Sequence, residues 1–243
     1  MFPRKLSRLI AILAFAGTSL ASNAGESVFN FRQVFPGNPS PGMGGTLAGT
    51  GATTPWFTAT FTDLAANTVQ LTVAAPGLAV QQTISKLWFN LQTLNPTSLT
   101  FTPVSGPTAT ISLGENHFNA SSGGFYDIKL SYDAKLTLPN GNPNPNAFTN
   151  TQTSKYIITG PAGLTSNSFS DLASPTGVGG KGNASFGPFV AAGGVRLGNT
   201  MQGVFVSATA PVPEPEIFAM MLAGLGLVGY VARRRRRVED NAA

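Results

Sequence analysis

The 243-residue sequence contains no cysteine and a single histidine, His117. The first absence excludes disulfides, thiol catalysis and thiolate metal sites. One histidine cannot form a His-rich zinc site, and a general base at this position would still need a nucleophile within reach. We interpret His117 as a solvated residue of a polar loop that runs from Gly114 to Gly124.

Charged residues are also scarce, at 10% of the chain. The formal net charge of +5 suggests a basic protein, but residues 25–211 contain seven basic and six acidic side chains. The remaining positive charge lies at the two ends of the chain. Because this central region has no basic stripe, it cannot grip a phosphate backbone electrostatically. Nucleic acid is therefore excluded as a partner.

The N-terminus has the three-part pattern of a secretory signal peptide. Arg4, Lys5 and Arg8 precede an apolar stretch from residue 9 to 16, and small residues precede Ala24. We predict a signal peptide over residues 1–24 that is cleaved after Ala24, with Ala21 as the alternative. The expected partners at this stage are the Sec translocon and signal peptidase.

Residues 25–211 are predicted to form one exported domain without helices, since no convincing apolar repeat of 3.6 residues occurs there. The clearest pattern is the alternation from Tyr126 to Leu138, which predicts a thirteen-residue strand with one wet face. The even positions of this strand face the core, which predicts Ile128, Leu130 and Leu136 as buried. The odd positions face the solvent, which predicts Asp127, Lys129 and Lys135 as exposed. On an earlier strand, Phe89 and Leu91 are also predicted to be buried.

Further strands are predicted between turns rich in Gly and Pro, and Pro103 indicates an edge strand. The predicted fold class is all-β: a single antiparallel β-sandwich, with a jelly-roll route as one option. The other predicted strands are 27–33, 56–64, 68–73, 84–94, one starting at Leu99, 109–113, 155–159, 168–172, 184–190 and 201–208. The link of Ala65, Ala66 and Asn67 between strands 56–64 and 68–73 is short enough to predict a hairpin.

Two binding hypotheses arise from the exported domain. Acidic side chains could gather around Ca²⁺, which prefers six to eight oxygen ligands; these are Asp63, Glu115, Asp127, Asp133 and Asp171. Flat aromatic rings could stack on sugars; these are Trp56, Trp88, Tyr126 and Tyr132. We favour a salt-bridged outer face for the acids and internal packing for the rings. We predict no catalytic residue, no metal site and no cofactor, and no carboxylate pair suits glycoside hydrolysis.

The C-terminal thirty residues have the composition of a sorting tail. Pro213 and Pro215 flank Glu214 and fix an extended backbone after Val212. The uncharged residues 217–232 would form a helix of roughly 24 Å, just short of a typical hydrocarbon core. Five arginines follow that would stay on the cytoplasmic side of the membrane: Arg233, Arg234, Arg235, Arg236 and Arg237.

This tail resembles the PEP-CTERM sorting signal of Gram-negative bacteria, in which a Pro-Glu-Pro motif, a Gly-rich apolar helix and basic residues occur in this order. The resemblance implies recognition by an exosortase, a membrane enzyme that cuts near the motif. It also implies export across the inner membrane, a transient membrane anchor, and then a location at the cell surface or in the extracellular matrix.

The sequence thus divides into a signal peptide (1–24), an exported domain (25–211), a sorting signal (212–237) and a cytoplasmic tail (238–243). A plain anchor without processing is the alternative.

A second resemblance covers parts of the exported domain. Residues 84–91, 99–101 and 123–128 are similar to one uncharacterised group of PEP-CTERM surface proteins, which implies a β-sandwich body. The expected function is a non-enzymatic surface or matrix protein associated with exopolysaccharide or biofilm. The alternative is a lectin-like carbohydrate-binding module, assisted by Ca²⁺. An extracellular hydrolase has the least support.

Overall fold

The computed structural model describes residues 25–35, 54–120, 123–178, 188–197 and 203–209. These residues contain ten β-strands and short 3-10 turns at Pro96–Ser98 and Ser166–Phe169. The strands are β1 (Glu26–Val34), β2 (Phe57–Ala65), β3 (Thr68–Ala74), β4 (Gln82–Phe89), β5 (Thr100–Ser105), β6 (Thr110–Asn119), β7 (Phe125–Ser131), β8 (Thr153–Thr159), β9 (Ala191–Leu197) and β10 (Gly203–Thr209).

All ten strands belong to one antiparallel sheet in the order β5-β8-β3-β2-β1-β10-β9-β4-β7-β6. The sheet folds over on itself, because residues from distant strands touch. Phe29 on β1 and Phe61 on β2 contact Phe89 on β4, with ring centroids 5.8 and 5.1 Å apart. We call β5-β8-β3-β2-β1 the first layer and β10-β9-β4-β7-β6 the second layer. The prediction of an all-β antiparallel fold is confirmed.

The main core lies between the layers and follows the alternation of the sequence. On β2 the buried residues are Phe57, Ala59 and Phe61, and on β3 they are Val69, Leu71 and Val73. The two strands form the predicted hairpin, whose turn includes Asn67 in the left-handed region at φ 58°. Apolar alternation therefore sets the inward face of the first layer.

A second, smaller core covers the outer face of the second layer. It contains Phe35, Trp88, Ala120, Tyr126, Ala173 and Ala192. Phe35 stacks on Phe189 with ring centroids 4.7 Å apart. Because chain segments outside the strands pack here, the part of the second layer around Trp88 and Tyr126 is buried on both sides.

Four of the five predicted core residues are buried: Phe89, Leu91, Ile128 and Leu130. Leu136 is only half-buried, since the chain has left the sheet before it. Of the residues predicted as exposed, Lys135 is exposed and Lys129 is half-buried. Asp127 is buried, at 6% exposure, so its predicted exposure is wrong.

The predicted thirteen-residue strand is shorter than expected, because β7 ends at Ser131. Beyond it, Asp133 accepts a hydrogen bond from the backbone N–H of Lys135, at 3.1 Å, and another from the side chain of Asn144, at 2.8 Å. Such side-chain bonds to nearby backbone compete with a strand ladder. The alternation of the sequence continues past the point where the hydrogen-bonded strand ends.

Three other predicted boundaries also differ. The predicted polar loop 114–124 begins inside β6, which continues to Asn119 through an irregularity between Leu113 and Phe118. The predicted strand 168–172 is instead a 3-10 turn at its start. Of the predicted strand 184–190, residues 184–187 lie outside the described residues, and 188–190 precede β9, which begins at Ala191. The predicted final strand is confirmed as β10, and Pro103 lies on an edge strand, β5, as predicted.

Candidate functional site

A pocket of about 410 Å³ lies where the segment after β4 and the irregular part of β6 meet the start of β7 and the segment around Asp171. Three acidic side chains contribute to its wall: Glu115, Asp127 and Asp171. The remainder is polar or aliphatic: Asn90, Leu91, Thr93, Leu94, Asn95, Asn116 and Leu172. We call this the acidic pocket.

Asp127 holds the loops of the acidic pocket in place. Its carboxylate accepts hydrogen bonds from the backbone N–H of Leu91, at 3.0 Å, and of Asn116, at 2.6 Å. The backbone N–H of Asp127 in turn donates to the side chain of Asn90, at 2.9 Å. One carboxylate therefore joins the segment after β4 to the irregular part of β6.

The ionisation of Asp127 is perturbed by this location. Burial raises the pKa of its carboxyl above the ordinary value, because removal from water disfavours the charged form. The two backbone N–H donors act in the opposite direction, while the neighbouring charges of Glu115 and Asp171 raise the pKa further. The net direction is upward.

The five acidic residues of the calcium hypothesis do not converge on one point. Glu115, Asp127 and Asp171 line the acidic pocket, whereas Asp133 bonds to Asn144. Asp63 accepts a hydrogen bond from the backbone N–H of Ser166. Within the described ranges, no three His, Asp or Glu side chains are arranged to hold a metal ion.

The four rings of the sugar-platform hypothesis are all buried. Trp56, Trp88, Tyr126 and Tyr132 are between 0 and 6% exposed. Burial also raises the pKa of both tyrosines above its ordinary value. The hypothesis that these rings form a stacking platform for sugars is therefore wrong. The favoured alternative, internal packing of the rings, is confirmed.

His117 is exposed on β6, and its ring lies edge-on to Phe118 with centroids 5.1 Å apart. The sequence named the acids of the acidic pocket but missed Asn90, Thr93 and Asn95. The turn sequence Asn95-Pro96 was the only local signal for these residues. The pocket is assembled from four separate segments, and no single stretch of sequence contains it.

The predicted processing sites lie outside the described residues. They are Ala24 at the signal cleavage, the sorting motif Val212, Pro213, Glu214 and Pro215, and the arginines 233–237. The same applies to the predicted membrane helix, residues 217–232. Among the residues that the structure does describe, no helix has the length and apolar character to cross a membrane.

Comparison with known proteins identifies the tail. Residues 211–237 match the family model of the PEP-CTERM protein-sorting motif. No curated protein and no solved structure matches the chain. The motif implies export and processing by an exosortase, with the sorting signal at the C-terminus associated with the membrane. Residues 211–237 therefore carry a PEP-CTERM protein-sorting motif.

Proposed function

We propose that this protein is a non-enzymatic component of the cell surface or extracellular matrix, associated with exopolysaccharide or biofilm. The observation that supports this most is the PEP-CTERM motif at residues 211–237, because it directs the exported domain out of the cell. The exported domain consists of β-strands. Its buried aromatic rings contribute to packing, and the carboxylate of Asp127 positions loops. Its role is display and adhesion rather than turnover of a substrate.

The proposed route follows from the physical properties of the two ends. The signal peptide is removed after Ala24, and the arginines 233–237 stop the chain in the inner membrane. Pro213 and Pro215 keep the motif out of a helix, so that its backbone groups stay free to pair with the exosortase. Cleavage near residues 212–216 then releases the exported domain from its transient anchor.

Cell fractionation in an exosortase-containing Gram-negative host tests this route. We expect the wild-type protein in the surface or matrix fraction, and the variant with Pro213, Glu214 and Pro215 all changed to Ala in the inner membrane. A matched control with Pro139 and Pro143 changed to Ala keeps the motif and should reach the surface. Equal distribution of the wild type and the motif variant would contradict the proposal.

A lectin-like module is the second candidate, and the acidic pocket is the observation that favours it. Its volume and its mixture of carboxylate, amide and aliphatic groups suit a small polar ligand such as one sugar unit. Ca²⁺ assistance would require the acidic side chains of the pocket to move closer together.

A ligand that binds only the folded state raises the melting temperature once its concentration passes Kd. We expect no difference in melting temperature between Ca²⁺ and a chelator; a clear rise with Ca²⁺ would favour the second candidate.

A further inference from the structure

The outer face of the first layer is dominated by threonine. The inward positions of β2, β3 and β8 are buried, so the alternate residues of these strands share the opposite face. Nine threonines on this face and on the neighbouring β5 are half-exposed or exposed. We call them the threonine face: Thr58, Thr60, Thr62, Thr68, Thr72, Thr100, Thr102, Thr153 and Thr159.

The strand register arranges these threonines in rows across the sheet. Thr60 lies directly opposite Thr72. Thr159 lies opposite both Thr68 and Thr100, which places three threonines side by side on three strands. Neighbours are about 4.8 Å apart across strands and about 7 Å apart along a strand. The result is a regular array of identical side chains.

The array is nearly uncharged. Lys155 and Glu26 are the charged residues in its rows, one of each sign and on different strands. A neutral surface does not select phosphate polymers or acidic chains, which bind by charge. Val28 and Ile157 are the larger apolar side chains in these rows, and both are half-buried. The rows contain none of the aromatic side chains that are enriched at the centre of a stable protein interface. These two properties disfavour nucleic acid, an acidic polymer and a second protein copy as occupants.

Each threonine offers a hydroxyl, which donates and accepts hydrogen bonds, next to a methyl group. Sugar units of a neutral polysaccharide present the same pair of features, hydroxyls beside C–H surfaces, at regular intervals. Threonine is β-branched and therefore stiff at χ1, so ordering it on binding costs little entropy. A repeating array is suited to a repeating ligand because many weak contacts add along the chain.

We propose that the threonine face is the binding surface for a neutral, hydroxyl-rich polysaccharide chain. This inference rests on the proposed function, for which it names the ligand class and the residues that contact it. It differs from the lectin-like candidate, since it places the polymer on an open sheet face and not in the acidic pocket.

Affinity electrophoresis of the exported protein, produced as the full chain in an exporting host, tests the proposal. The gels contain dextran or hydroxyethylcellulose as neutral polymers, and alginate as an anionic one. We compare the wild type with the double variant Thr60→Val, Thr72→Val, which removes two facing hydroxyls and keeps β-branched side chains. The matched control is Thr110→Val, Thr176→Val, because both threonines are exposed and lie outside the threonine face.

We expect a neutral polymer to retard the wild type and the control equally, with an apparent affinity at least fivefold lower for the Thr60 and Thr72 variant. Unchanged melting temperatures show that the variants are folded. Several results would overturn the proposal: no retardation by either neutral polymer, equal retardation of all variants, or retardation by alginate alone. A dimer lost only in the Thr60 and Thr72 variant would identify a second copy as the occupant. The proposed function stands independently if the wild type still fractionates with the matrix.

Discussion

The two layers of the sheet present very different outer faces. In the first layer the alternation of β2 and β3 divides the residues cleanly into a buried side and an open threonine side. In the second layer part of the outer side is buried as well, because Trp88 and Tyr126 are covered by residues such as Phe35 and Ala173. The same alternation of apolar and polar residues therefore occurs both on strands with an open outer face and on strands whose outer face is covered.

The difference shows that alternation reports the orientation of side chains and not their exposure. Lys86 and Trp88 on β4, and Asn90 directly after it, lie outside the main core, as their spacing predicts. Lys86 is exposed, whereas Trp88 and Asn90 are buried under other segments. Asp127 is buried in the same region. Whether an outward-facing side chain is buried therefore depends on segments of the chain that are distant in sequence.

The largest effect is expected from a charge placed in the core between the layers. Leu130 is fully buried, so Leu130→Asp should cost about 4 kcal/mol or more and unfold the domain. Its neighbour Lys129 is half-buried and lies 4.8 Å from the centre of the Phe118 ring. Lys129→Asp loses that contact and should cost about 1 kcal/mol. Denaturant unfolding measures both, and equal damage would contradict the assignment of their faces.

The covered outer face is tested by Trp88→Ala. Trp88 is 2% exposed and packs in the second core, so its removal should cost about 3–5 kcal/mol. An uncovered outer face would lose much less. The midpoint of urea unfolding, at an unchanged slope, reports the difference. A loss below about 1 kcal/mol would mean that the second core does not form.

A pH-dependent effect is expected from Asp127 at the edge of this covered region. Its pKa is raised in the folded state, so the unfolded chain releases the proton first as the pH rises. The stability contribution of the protonated carboxyl is present below the ordinary pKa of about 3.9 and is lost as the pH rises through the folded value. Asp127→Asn should remove this fall in stability. Parallel pH profiles for the wild type and the variant would contradict the burial of the charge.

The smallest effect is expected on the open face of the first layer. Thr60 is half-exposed and lies on the face of β2 opposite the buried Ala59 and Phe61. Thr60→Val keeps a β-branched residue on the strand and should change the free energy of unfolding by less than about 0.5 kcal/mol. Thermal unfolding of the single variant provides the measurement. A loss as large as that of Trp88→Ala would show that the first layer is also covered.

The sequence predicts the parts of the fold that depend on local pattern. The hairpin of β2 and β3 was predicted because its alternation and its turn at Asn67 are contiguous. The end of β7 was missed, since it depends on the side chain of Asp133 bonding to Asn144, eleven residues further on. The sequence predicts too short a β6, because the polar residues in its second half are typical of a loop. There Asp127 provides the acceptor for the backbone N–H of Asn116.

The candidate sites divide in the same way. The sorting motif was predicted because it is a linear signal whose parts follow one another from Val212 to Arg237. For the acidic pocket, sequence supplied the charged residues Glu115, Asp127 and Asp171 but not their surroundings. Those surroundings come from tertiary packing of segments distant in sequence. The threonine face, in contrast, required the register between strands.

Intact-mass measurement of the mature protein from the surface fraction of an exosortase-containing host tests the sorting claim most directly. We predict a chain that starts at Gly25, ends between Val212 and Glu216, and lacks the arginines 233–237. The variant with Pro213, Glu214 and Pro215 changed to Ala should retain the tail and remain in the inner membrane. A wild-type surface protein that still carries residues 217–243 would contradict the account, because the tail would then be an anchor without processing.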